Sequence, residues 1–68
     1  MDETRVVTVN PNTIEIRDGS EFAQYVVERE VANVFLKDTW TGERMAIDYT
    51  YLPLIAQALN QMFERIMG

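Results

Sequence analysis

The strongest constraint on the fold is the spacing of apolar residues from Thr50 to Met67. Leu52, Ile55, Ala56, Leu59, Met62, Phe63 and Ile66 recur at three- and four-residue steps, which places them along one face of an α-helix. Gln57, Asn60, Gln61 and Glu64 fall away from that stripe. Thr50 is the expected N-cap, through a hydroxyl that accepts from the Leu52 amide, and Pro53 falls in the first turn, where a missing N–H costs little. Arg65 suits the negative end of the helix dipole, and Gly68 can close the helix. Such a helix is about 25 Å long. It cannot bury its stripe alone, so another layer has to cover it.

The chain has 68 residues, enough for a single domain spanning 1–68, with residues 1–3 read as a flexible acidic tail. A domain of this size hides only about 60% of the surface its unfolded chain exposes. Small scaffolds make up the shortfall with disulfides, a metal or a partner chain. There is no cysteine and no histidine, which removes disulfides, thiolate metal sites, the usual zinc ligand and the usual general base. Hydrophobic residues make up 47% of the chain, too many for a disordered segment. Self-association is the staple left open.

Moving along the chain, Thr4 to Val9 is β-branched and strand-like. Asn10-Pro11-Asn12 reads as a turn, and Thr13 to Arg17 alternates with Ile14 and Ile16 on one face. This hairpin should set Thr8 opposite Ile14 and Val6 opposite Ile16. Asp18-Gly19-Ser20 is the next break. The segment Glu21 to Glu30 admits two readings. As a helix, Asp18 is the cap, Glu21 stands three residues later, and Phe22, Tyr25, Val26 and Arg29 share a face. As a strand, it is favoured by Tyr25, Val26 and Val27 but alternates poorly. The alternation tips the reading toward a short helix.

Val31 to Lys37 and Glu43 to Asp48 form a second expected hairpin, with Asp38 to Gly42 as its loop and Gly42 supplying a positive φ. That loop length sets Lys37 opposite Glu43 and Phe35 opposite Met45. It places Val31, Phe35, Met45, Ile47 and Tyr49 on one side and Val34, Leu36 and Ala46 on the other. A strand pair apolar on both faces needs two covers. The C-terminal helix supplies one. Glu21 to Glu30 is one candidate for the second; the expected one is a second copy of the chain meeting Val34, Leu36 and Ala46, with the helix flank of Leu54, Ala58 and Met67 as the alternative dimer contact.

The fold class expected is therefore α+β: a small antiparallel sheet of two β-hairpins, with the amphipathic helix packed on one face and a short helix between the hairpins.

For catalysis the chain offers little. Ser20 sits in a turn with no histidine to activate it, and Lys37 is the sole lysine on a strand. Asp38 and Glu43 bracket one loop; the first suits the turn itself and the second a pair with Lys37. There is no calcium loop and no phosphate loop. The reading is of a non-enzyme with no cofactor and no metal site.

Trp40, the one tryptophan, stands at the loop tip between two threonines. It reads either as a cap on the end of the helix or as a partner-binding anchor. In the second case Asp38 and Glu43 join it as partner-binding residues.

Eleven acidic residues oppose six basic ones, for a net charge of −5, which repels phosphate backbones. With the strand reading of Glu21 to Glu30, the sheet-then-helix order resembles the single-strand-binding transcriptional coactivator folds in topology. Tyr25, Trp40, Tyr49 and Tyr51 would then be its stacking residues. The charge and the dispersed arginines rank that reading second. The first expectation is an acidic protein-interaction module, homodimeric and cytoplasmic, with no membrane span. Its partners are itself and an unidentified protein. Its size and charge are compatible with a phage-type or mobile-element inhibitor that occupies a basic site on a host protein.

Overall fold

The computed structural model describes residues 3–68, so Met1 and Asp2 of the expected acidic tail lie outside the described residues. Five strands, β1 (Arg5–Asn10), β2 (Thr13–Arg17), β3 (Ala23–Arg29), β4 (Asn33–Asp38) and β5 (Arg44–Asp48), precede one helix, α1 (Leu52–Met67). The strands form a single antiparallel meander in chain order. Every connection is a turn, because antiparallel neighbours need no crossover.

The first hairpin has the register its sequence predicts, with Thr8 opposite Ile14 and Val6 opposite Ile16. Its turn is set locally: the Asn12 amide donates to Asn10 Oδ1 at 2.8 Å, an asparagine turn in which the side chain replaces a backbone acceptor.

The expected short helix at Glu21 to Glu30 is not formed; Ala23–Arg29 is the central strand. Asp18 does cap something, but a hairpin loop. Its Oδ1 accepts from the amides of Ser20 and Phe22 and from the Ser20 hydroxyl, at 2.9, 3.1 and 2.7 Å. Glu21 takes a left-handed conformation, φ 68°, which ends any helical run at its first turn. Tyr25, Val26 and Val27 then extend as their β preference directs.

The second hairpin differs from expectation by one residue. Leu36 faces Met45, Lys37 faces Arg44, and Phe35 faces Ala46. The Asp38 amide donates to the Glu43 carbonyl at 2.9 Å, so the loop is Thr39–Gly42 and Glu43 stands opposite Asp38 instead of Lys37. Since side chains alternate with period two, this slip reassigns the faces. Val34 and Leu36 join Met45 and Ile47 on one face, while Ala46 lies on the other with Phe35. The expected trio Val34, Leu36 and Ala46 therefore does not form one patch.

Cross-strand partners share a face, and the registers define three rows on the apolar side. One runs Val6, Ile16, Tyr25, Asp38. The next runs Thr8, Ile14, Val27, Leu36, Met45. The third runs Arg29, Val34, Ile47. Among the described residues only Val34 and Ile47, each 8% exposed, are buried, and none is fully so. The other face is mixed: Glu15, Val26, Lys37 and Arg44 cross it beside Glu28, Phe35 and Ala46. Arg44 lies over the Phe35 ring, 4.1 Å from its centroid, so a cation shields the largest apolar group there.

Helix α1 begins one residue later than expected. Tyr51 is its N-cap without a side-chain bond, Pro53 sits in the first turn, and the Gly68 amide closes on the Glu64 carbonyl at 2.8 Å. Nor does it pack across its own sheet. Leu52 and Ile55 are half-buried; from Ala56 onward every residue is exposed. Its stripe, with Leu59 64% and Ile66 74% exposed, has no cover within the chain.

Candidate functional site

The two ends of the sheet carry different chemistry. At one end, the β2–β3 and β4–β5 loops meet. Thr39 Oγ1 donates to the carbonyl of Ala23, and its amide to that of Gln24, at 2.7 and 3.3 Å. These bonds pin the tip of the second hairpin to the start of β3. Asp38 Oδ1 accepts from the amides of Trp40 and Thr41 at 2.9 and 3.3 Å. Gly42, at φ 76°, turns the chain back as its sequence position predicts.

Trp40 lies at this end, whereas the helix leaves from the other, so it does not cap the helix. It is 78% exposed and yet held. Its Nε1 donates to Gln24 Oε1 at 3.1 Å, and Gln24 Nε2 donates in turn to Asp18 Oδ2 at 2.8 Å. The Phe22 ring stands 6.3 Å away, tilted by 55°, within the centroid range of a favourable aromatic pair. The result is a preoriented aromatic pair at a loop rim. Hydrogen bonds from the Ser20 side chain, then from Gln24 and the loop amides, hold the Asp18 carboxyl down to about 2. It is thus an anion throughout the neutral range.

Of the residues singled out from sequence, the structure brings Trp40, Asp38 and Glu43 to this rim. Asp38 is occupied by its own turn. Glu43 borders a hollow of about 170 Å³ on the apolar face, with Tyr25, Leu36, Asp38, Arg44 and Met45 as its other walls. Phe22 and Gln24 were not singled out; recognising them requires knowing that β3 is a strand starting beside the β4–β5 loop.

Further acidic residues are tied into ion pairs. Glu21 bonds Arg5 and, at 3.4 Å, Arg17. The Arg5 hydrogen bond is the main cause of its lowered pKa. Arg17 is raised chiefly by its bond to Glu15, at 2.8 Å. The four aromatics of a stacking platform are split: Tyr25 and Trp40 lie toward the loop rim, Tyr49 and Tyr51 at the helix end.

At the helix end the β5–α1 junction is tightly bonded. Thr50 N donates to Asp48 Oδ1 at 2.8 Å, which lowers the Asp48 pKa. Tyr51 N donates to the Asp48 carbonyl at 3.0 Å and Leu52 N to that of Tyr49 at 3.3 Å, while the Tyr49 hydroxyl reaches the Glu30 carbonyl. Leu52 closes a hollow against Pro11, Ile14, Val27 and Val34.

Among the described residues no helix is long and apolar enough to cross a membrane, and no three acidic side chains gather as a metal site would require. No family model, curated protein or solved structure matches the chain.

Proposed function

We propose that this chain is a non-enzymatic, acidic protein-interaction module of the cytoplasm that works as a homodimer. One observation carries the reading. A compact monomer of 7.9 kDa exposes about 4,400 Å²; this chain exposes 5597 Å². The excess, on the order of 1,000 Å², matches the roughly 800 Å² per partner of a stable interface. It sits where apolar side chains have no cover, on the helix stripe and the adjoining sheet face. Self-association hides that surface and replaces the disulfides a cysteine-free domain lacks.

The loop rim is then free for a second protein. Trp40 with Phe22 is a rigid aromatic anchor of the kind that dominates interfaces. Asp18 stands behind it through Gln24, and the chain's net charge is −5, so the partner is expected to present a basic surface, as the target of a small inhibitor would. Light scattering after size exclusion tests the dimer: twice the chain mass at micromolar concentration is expected, and a monomer at high micromolar rules it out. For the rim, Trp40→Ala should leave the circular dichroism spectrum and the dimer unchanged. A large fall in Tm would instead make Trp40 a structural residue.

A further inference from the structure

We infer that the C-terminal helix of each copy lies across the apolar sheet face of the other, with Phe63 seated in the hollow between Tyr25, Leu36 and Met45. This rests on the homodimer reading and gives it a geometry. Two surfaces lack cover, and they are complementary. The stripe of α1 is exposed from Ala56 to its end, and Val6, Ile14, Tyr25 and Met45 stand exposed on the sheet. Pairing helix with helix would cover the first and leave the second in water; exchanging helices covers both with one contact.

The dimensions agree. Sixteen residues make a helix about 24 Å long, and five strands are about 19 Å from first to last at 4.8 Å spacing. The hollow is about 170 Å³, close to the roughly 150 Å³ apolar cavity known to accept a benzene ring.

The same chain's helix is poorly placed to fill the face. Its first turn is fixed by the bonds from Thr50, Tyr51 and Leu52 to Asp48 and Tyr49, and Leu52 is already seated at the far end of the sheet. Folding back would break that junction, whereas a second copy needs no rearrangement of it.

The absence of native cysteine makes the test direct. Met45→Cys and Met62→Cys are made separately; both methionines are exposed, so the fold tolerates the change. The two proteins are mixed at a concentration where the wild type has twice the chain mass, and oxidised. A disulfide between the two different chains is expected, because it needs Cα atoms within about 7 Å. Ala58→Cys, on the helix flank, should give no homodisulfide. A dimer that cross-links through Ala58→Cys, or through neither pair, overturns helix exchange and leaves the homodimer standing. A monomer overturns both.

Discussion

The sheet and the helix are both amphipathic, and they differ in how much of the apolar face the chain itself covers. The strands obtain their backbone partners from neighbouring strands, and Val34 and Ile47 are buried within the chain. The helix satisfies its own backbone, so it can form without touching anything. Its stripe from Leu59 to Ile66 remains in water. Amphipathic periodicity reports which face needs a cover; it does not report which molecule supplies it. The bonds at Asp48 hold the first turn of α1 where it leaves the sheet.

The largest effect is expected on the sheet side. Ile47→Ala should cost about 2–5 kcal/mol, the range for truncating a buried aliphatic side chain. A domain of this length has a total of only about 3–10 kcal/mol. The loss should be seen in urea unfolding at every protein concentration. Leu59→Ala should behave differently. Its side chain is exposed in the single chain; in the proposed dimer it is buried, a gain of about 1.5–3 kcal/mol. Wild-type Tm should rise with concentration, and Leu59→Ala should flatten that rise. Equal losses at low and high concentration would place Leu59 inside the monomer's core and erase the contrast between the two elements.

How far the sequence revealed this depends on what fixes each register. In the first hairpin, Asn10-Pro11-Asn12 is short and Val6, Thr8, Ile14 and Ile16 alternate without competition, so the pairing follows. In the second, Phe35 and Leu36 are both apolar, and Thr39-Trp40-Thr41-Gly42 carries no signature that separates a four- from a five-residue loop. A one-residue error there exchanged the faces, and the inferred need for a second cover over Val34, Leu36 and Ala46 went with it. The actual second face is mixed, with Arg44 shielding Phe35. At β3, Asp18 and Glu21 have capping-box spacing, yet the same aspartate geometry serves a hairpin loop. Trp40 was legible as an exposed loop residue. Its companions Phe22 and Gln24 were not, because they become neighbours only when Glu21 to Glu30 is placed as a strand.

The loop rim sharpens the comparison, since it is completed within one chain. Gly42 holds φ 76° and would meet nothing within 4 Å if given a Cβ. Gly42→Ala therefore carries no clash, only the left-handed backbone cost of about 1–2 kcal/mol. That loss should be independent of concentration and should leave the dimer mass unchanged. A dimer weakened by this substitution would couple the rim to the association surface and contradict their separation.

The smallest effect is expected from acid, and Trp40 itself reports it. Asp18 is held at about 2, below its ordinary 3.8, so its folded state prefers the carboxylate. The stability it contributes is complete above about pH 5 and is lost as pH falls toward and through 2. The loss has a specific geometry. Trp40 Nε1 donates to Gln24 Oε1, and Gln24 Nε2 donates to Asp18 Oδ2; each link needs a donor facing an acceptor. A proton on Oδ2 sets donor against donor, and turning the Gln24 amide only moves the mismatch to the indole. Tryptophan emission should shift between pH 4 and 2. Asp18→Asn, which places an NH₂ or an oxygen at that position but cannot accept at both, should carry part of the low-pH emission at neutral pH and lose the acid transition. Emission unchanged from pH 7 to 2, or an Asp18→Asn spectrum matching the wild type, would mean that the relay does not hold the indole and that the Phe22 ring alone positions it.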